Sequence, residues 1–225
     1  MAGLRVNFYG RDVIYTNEPE ITKDNVGTVL SKAWNKFQQI SNDVDYLFKY
    51  YKGDQPVNTR EKTYNADINN MIVANRAYEV VSFKVGYFLS APIQYIDVAN
   101  NDGEEEIENS DIDSLNEYCR LANKDTVDCS VVKWQSICGT AFKMALPKDS
   151  EDGTQVFDIY SLDPRYTFVV YSSRLGHKPM LGVTYVTLED GQYLYYCYTD
   201  KEFFVLDNQF KDASDEITKS GPHVL

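Results

Sequence analysis

The sequence has little that could hold a metal or carry covalent chemistry. Only two histidines and four cysteines occur in 225 residues. Cys119, Cys129, Cys138 and Cys197 show no C-x-x-C spacing, so neither a zinc site nor a disulfide framework is expected, and the thiols should be reduced and buried as in a cytosolic protein. The 12 glycines are scattered singly, which leaves no phosphate-binding loop and no dinucleotide fingerprint. The longest apolar stretch, around 71–89, is broken by Asn75, Arg76, Glu79 and Lys84, whereas a bilayer span needs about 20 predominantly apolar residues. The N-terminus has no apolar stretch before a small-residue cleavage site, as a secretory signal requires. Basic charge is also short: 22 Lys and Arg face 34 Asp and Glu, a formal charge of −12. Such a chain repels phosphates on average, which argues against coating nucleic acid but not against staying near DNA without gripping it.

What remains is a globular mixture, 43% hydrophobic and 25% charged, able to bury a real core in one or two domains. Eighteen tyrosines make core and contact surfaces rich in rings. After an extended start with a short strand around Val13, Ile14 and Tyr15, Asp24 and Asn25 are N-cap candidates for a helix over 26–52. Its apolar positions Val26, Leu30, Trp34, Phe37, Val44, Leu47 and Tyr51 recur at helical spacing, Gly53 closes it and Pro56 prevents its resumption. Such a helix runs about 40 Å, long for a small domain and suited to an elongated subunit or to packing along neighbours. A polar connector over 55–65 leads to a second helix over 68–89. There Asn75, Arg76, Glu79, Ser82 and Gly86 form a narrow polar strip, and the apolar remainder predicts burial on most sides. Pro92 ends this helix, and 93–98 reads as a strand.

An acidic stretch over 102–113 follows, in which the Ser110-to-Asp113 spacing fits a capping box opening a short helix through Leu121. A further helix begins near Asp125 and carries Val127, Val131, Trp134, Cys138, Ala141, Phe142 and Ala145 until Pro147 stops it, with a turn over 150–153. Strands are expected over 156–162, 166–171, 180–188, 193–198 and 202–206, with Asp163-Pro164 and Asp190-Gly191 as turns. Helices fill the first two thirds and an antiparallel meander the last, which makes an α+β protein. Three stretches divide it: 1–56, an N-terminal arm and long helix; 57–148, a mainly helical core; and 149–225, an antiparallel β region.

No chemistry stands out. Aligning the calcium-loop template on Gly103 puts Val98 and Asn109 where acids are needed, so the acidic stretch reads as a solvated loop. Ser136 lies in Gln-Ser-Ile-Cys-Gly, not G-x-S-x-G, within a helix rather than at a strand-to-helix elbow. Cys138 beside His177 or His223 would be a nucleophile pair, but a cysteine on an apolar helix face reads as packing. Gly139, taken as helix-interior, suggests close backbone packing or a kink. Arg76 and Glu79 read as an i,i+3 pair on the wet face of the second helix.

An ordered set of landmarks says more than any site. Tyr50-Tyr51-Lys52-Gly53-Asp54-Gln55-Pro56 closes the first helix, Asn69-Asn70-Met71-Ile72-Val73-Ala74-Asn75 opens the second, and Gly86-Tyr87-Phe88-Leu89-Ser90-Ala91-Pro92-Ile93 ends it. Lys133-Trp134-Gln135-Ser136-Ile137-Cys138-Gly139, Leu162-Asp163-Pro164 and Phe168-Val169-Val170-Tyr171 follow. In this order the chain resembles the portal proteins of tailed bacteriophages with long non-contractile tails, from about Tyr50 to Tyr198. Ser90-Ala91 departs from the pattern, which often has Gly before the Pro-Ile. The landmark positions are Tyr50, Tyr51, Gly53, Pro56, Asn70, Asn75, Gly86, Pro92, Trp134, Ser136, Gly139, Asp163 and Pro164, all structural rather than catalytic.

The resemblance implies a homo-oligomeric ring, typically of twelve copies, at one capsid vertex of the virion, assembled in the host bacterial cytoplasm. DNA passes transiently through it during packaging and ejection. Its implied partners are the terminase motor, scaffold, head-completion proteins and the capsid protein; no cofactor and no membrane enter. It further implies that this chain covers the wing-forming half, with a stem beginning near 221–225 and the stem and clip lying beyond. Two other readings remain open from the residues: a metal-dependent phosphodiesterase or nuclease using acids such as Asp97, Asp111 and Asp113, and a virion adaptor module that binds protein through Tyr193, Tyr195, Tyr196 and Tyr198. On that strand alternate rings face opposite sides, one row core and the other exposed.

Overall fold

A long amphipathic helix needs a surface wide enough to cover its apolar stripe, and in this chain a β-sheet supplies it. The computed structural model describes residues 12–64, 70–96, 110–147, 156–214 and 220–222. Helix α1 (Val26–Tyr51, 26 residues) lies across one face of a six-stranded sheet of order β1-β4-β5-β6-β7-β8. Its strands are β1 (Ile14–Thr16), β4 (Thr167–Ser172), β5 (Pro179–Thr187), β6 (Tyr193–Tyr198), β7 (Glu202–Leu206) and β8 (Gly221–Pro222). Strands β4 to β7 form the expected antiparallel meander. β1 joins the edge of β4 in parallel, with Ile14 opposite Val170. The protein is α+β.

The core forms where the helical and strand periods meet. Val26, Val29, Leu30, Ala33 and Phe37 of α1 pack on Phe168, Val170, Leu181, Val183, Tyr195, Cys197, Phe204 and Leu206. Phe37 stacks on Phe168 at 4.2 Å between ring centroids. Trp34 meets Tyr185 and Tyr195 edge-on at 5.0 and 5.1 Å. Edge-to-face and offset ring pairs add about 0.5–1.5 kcal/mol each beyond area burial. Burial pushes the Tyr185 hydroxyl and the Cys197 thiol up to about 12, so neither ionises near neutrality.

Helices α2 (Arg76–Phe88), α3 (Ser110–Leu121) and α4 (Lys124–Cys138) and a hairpin of β2 (Phe142–Pro147) and β3 (Phe157–Leu162) make up the remainder. α4 lies at the centre of this group, against α1, α2, α3 and both hairpin strands.

Five expectations are corrected. The second helix begins at Arg76, not 68: the Asn75 side chain accepts a hydrogen bond from the Tyr78 amide, which caps the helix there, and 70–75 has no helical turn. Residues 93–96 form no strand, because the Asn116 side chain takes the backbone hydrogen bonds of Tyr95 at 3.0 and 2.9 Å. The helix through Trp134 ends at Cys138, not Pro147. Gly139 adopts φ +68°, and its amide closes the last turn on Gln135 O at 2.8 Å, a left-handed C-cap for which glycine is suited. It is therefore not helix-interior, and nothing crowds its Cα. Phe142, Met144 and Leu146 then alternate along β2 with exposed Lys143, Ala145 and Pro147, a period of two that the helical reading absorbed. Finally, β3 pairs with β2, Phe142 opposite Leu162, and stays outside the meander. Residues 68–69 of the expected second helix, the strand end at 97–98, the acidic stretch up to 109 and the turn over 150–153 lie outside the described residues.

Gly27 in the first turn of α1 sits where an added Cβ would collide with the carbonyl oxygen of Phe210. Glycine-to-alanine changes within helices usually stabilise by up to about 1 kcal/mol; here steric overlap reverses the sign. Gly27→Ala is expected to destabilise the protein by about 1–3 kcal/mol, read as a lowered urea midpoint. A raised midpoint would contradict the close approach.

Candidate functional site

Six of the landmark residues gather at two junctions. At the first, α1 ends, the chain turns and α2 begins. Tyr51 is buried, and its carbonyl accepts a hydrogen bond from Asn75 Nδ2 at 2.9 Å. The same amide caps α2 through Oδ1. Gly53 takes φ +93° beside it, a left-handed conformation that favours glycine. Tyr51, Gly53 and Asn75 thus fix the angle at which α2 leaves α1, and Tyr78 packs on the Tyr51 ring at 5.5 Å. Tyr50 and Pro56 sit nearby and exposed, Pro56 opening a 3-10 turn over Pro56–Thr59.

At the second junction the guanidinium of Arg165 joins three elements. It forms a paired contact with Asp163, Nη2 to Oδ2 2.6 Å, and lies 3.7 Å from Asp45 on α1. It also sits 4.4 Å over the Phe48 ring and 5.6 Å over Trp134 of α4. Pro164 is fully buried in the turn. Trp134, Asp163 and Pro164 are therefore brought together, around an arginine that the sequence pattern did not single out. Ser136 is half-buried on α4. Asn70, Gly86 and Pro92 are exposed and join neither junction.

Among the described residues the candidate reactive groups are not assembled. Cys138 is buried with Sγ against the Val44 carbonyl, while His177 is exposed and packs on Tyr15 of β1 at 5.0 Å; His223 lies outside the described residues. Asp97 lies outside them too, whereas Asp111 and Asp113 sit in the first turn of α3. Among the described residues no group of three His, Cys, Asp or Glu side chains is placed to hold a metal ion. Arg76 and Glu79 form an exposed i,i+3 pair at 2.6 Å. Of the tyrosines on β6, Tyr195 is buried and Tyr193 packs on Trp34 beneath α1. Tyr196 and Tyr198 face the other side, against Phe203.

The surface most able to act is α2 itself. The sequence predicts burial on most sides, and the structure shows the opposite. α2 buries the Val81 stripe against α4, but Tyr78, Val80, Phe83, Tyr87 and Phe88 are exposed, Phe83 and Tyr87 by 74% and 73%. The face of the sheet that would cover such a helix is taken by α1. Exposed aromatics concentrated on one short helix mark an interaction surface. No described helix is long and apolar enough to cross a membrane, and exposed rings on a helix suit a protein contact.

A second apolar feature lies between the β2–β3 hairpin and the sheet face turned away from α1. It is a groove of about 310 Å³ lined by Phe142, Met144, Leu146, Val169, Thr184 and Tyr198 among others. Its outer wall is held by an ionic cluster that sequence spacing offers only as a Lys-to-Asp i,i+4 pair. Asp128 on α4 accepts from buried Lys124 at 2.7 Å and from Lys143 of β2. Burial pushes the Asp128 carboxyl up, but the hydrogen bonds and charges of the two lysines outweigh it and hold the group below the usual carboxylate range. Burial likewise pulls Lys124 down, and Asp128 more than restores it, leaving the ammonium above the usual lysine range.

The sequence model of a protein family described as phage portal protein, SPP1 Gp6-like, matches residues 30–222. No curated protein sequence matches the chain.

The signs of these shifts set a test of the wall. Asp128, lowered in the fold, contributes stability present above the ordinary carboxylate range and lost as pH falls through its lowered value. Lys124, raised in the fold, contributes stability lost only as pH rises through its raised value. Asp128→Asn, which strands a buried ammonium, is expected to cost about 3 kcal/mol at neutral pH. The Lys124→Met/Asp128→Leu double variant should recover most of that and lose less stability than the parent below about pH 4. Equal losses in the single and double variants by urea titration would contradict a coupled pair.

Proposed function

The chain belongs to the phage portal protein family, SPP1 Gp6-like, a structural family of the capsid vertex, and from that premise we propose that it is the wing-forming part of a ring subunit through which DNA is packaged and ejected. Residues 1–56, 57–148 and 149–225 serve in this reading as arm and long helix, helical core, and sheet region leading toward a stem. The ring has twelve copies. Its partners are the terminase motor, scaffold, head-completion proteins and capsid protein, and DNA passes through transiently.

The observation that carries the reading is the exposed aromatic face of α2 in a chain whose residues 30–222 match the family. A ring subunit must present unlike surfaces on its two sides, because a heterologous contact repeated around an axis closes on itself. A helix docked by one stripe and exposing rings on another supplies one such surface. The junctions at Asn75 and Arg165 are positioning devices: they set the direction of α2 and of the sheet relative to α1. The acidic surface fits a conduit that must release DNA, since a wall studded with phosphate-binding lysines would hold it by counterion release.

Electron microscopy of the purified full-length gene product should show closed rings with an axial channel. Incubation of those rings with duplex DNA and a divalent cation should leave the DNA intact. A homogeneous monomer at micromolar concentration, or metal-dependent cleavage that copurifies with the protein, would contradict the reading.

A further inference from the structure

The exposed stripe of α2 and the groove behind the β2–β3 hairpin are complementary in three respects. The first is geometry. Val80, Phe83 and Tyr87 stand at i, i+3 and i+7, the spacing by which a helix seats anchors in an apolar groove. Phe83 and Tyr87 already stack on each other at 6.2 Å. The groove, at about 310 Å³, lies at the small end of pockets that enclose ring systems, so it takes the two rings of a ridge and not a whole helix. No residue of α2 lines it.

The second is area. Val80, Phe83, Tyr87 and Phe88 are exposed by 53 to 74%, which for side chains of this size amounts to roughly 500 Å² of mostly apolar surface. A standard interface removes about 800 Å² from each partner, so this ridge and its immediate flanks supply most of one side of such a contact.

The third is charge. At −12 per chain, two copies repel unless their meeting surfaces are neutral or locally opposite. The groove's one charged lining residue, Lys143, is already bound to Asp128. Lys84, exposed among the ridge residues, is opposite in sign to exposed Asp200, the neighbour of groove-lining Thr199.

We propose that α2 of one copy seats Phe83 and Tyr87 in the groove between the β2–β3 hairpin and the sheet of the next copy, making this the repeating contact around the ring. The inference rests on the ring reading above and names its two surfaces. The Asp128 cluster then acts as a positioning device for the groove wall, and Asn75 as one for the ridge.

The test uses the full-length product carrying Phe83→Cys and Leu146→Cys together, oxidised under mild conditions. The native Cys119, Cys138 and Cys197 are buried, and the two single variants and the parent control for Cys129. The double variant is expected to give a ladder of chain multimers on a non-reducing gel, at least tenfold more abundant than in either single variant, while microscopy shows rings. Phe83→Asp, at a position exposed in the subunit, should keep the parent circular dichroism and shift ring assembly to at least tenfold higher concentration. Rings without a ladder would overturn the α2–groove contact and leave the ring reading standing. A cross-link confined to one chain, which would place a later segment of the same polypeptide on the ridge, would overturn the contact in the same way, as would dimers formed by Phe83→Cys alone. Absence of both rings and ladder would overturn the two together.

Discussion

The stack of Phe37 on Phe168, with Trp34 wedged edge-on against Tyr185 and Tyr195, decides the rest of the molecule. It commits the long helix to one face of the six-stranded sheet and leaves no room there for α2. A sheet has only two faces, and the second is partly covered by the β2–β3 hairpin. Everything built afterwards must find burial elsewhere. α4 finds it between α1, α2 and the hairpin. α2 finds α4 along a single stripe and the end of α1 at Tyr51, and keeps most of its rings in solvent.

From this constraint the exposure of the α2 ridge follows physically. A monomer seldom leaves a contiguous apolar ridge uncovered unless something meets it. In a chain this acidic the meeting surface cannot rely on broad electrostatic attraction between identical copies, so aromatic area has to carry the contact and a few local charges its register. The rigid parts are those that orient the ridge and the groove: Asn75 bridging the end of α1 to the start of α2, Arg165 fastening the Asp163-Pro164 turn to Phe48 and Trp134, and Asp128 fastening β2 to α4. Each of the three joins separate elements of the fold.

Much of the fold was legible wherever one period dominated a long segment. The stripe of α1 and the meander after Thr167 read directly, because a 3.6-residue and a two-residue repeat cannot be confused over such lengths. The start of α2 was missed because a side-chain cap outweighed an apolar run, and the strand β2 because Phe142 and Ala145 also fit a helical register until Gly139 is given its left-handed φ. The exposure of α2 was not legible at all. An apolar helix predicts burial, and only the prior claim of α1 on the sheet shows that within one chain the burial does not happen. The landmark positions split in the same way. Tyr51, Gly53, Asn75, Trp134, Asp163 and Pro164 converge at junctions, while Arg165 and Asp128, which hold those regions together, carry no signal beyond an ordinary charged residue.

The central claim, that the rings of α2 are covered by assembly and not by the subunit's own fold, is tested most directly by hydroxyl-radical footprinting of assembled rings against dissociated subunits. Phe83, Tyr87 and Phe88 should become several-fold less reactive on assembly, while Tyr64, 82% exposed and part of neither α2 nor the groove lining, keeps its rate. Equal labelling of the three rings in both states would contradict the account.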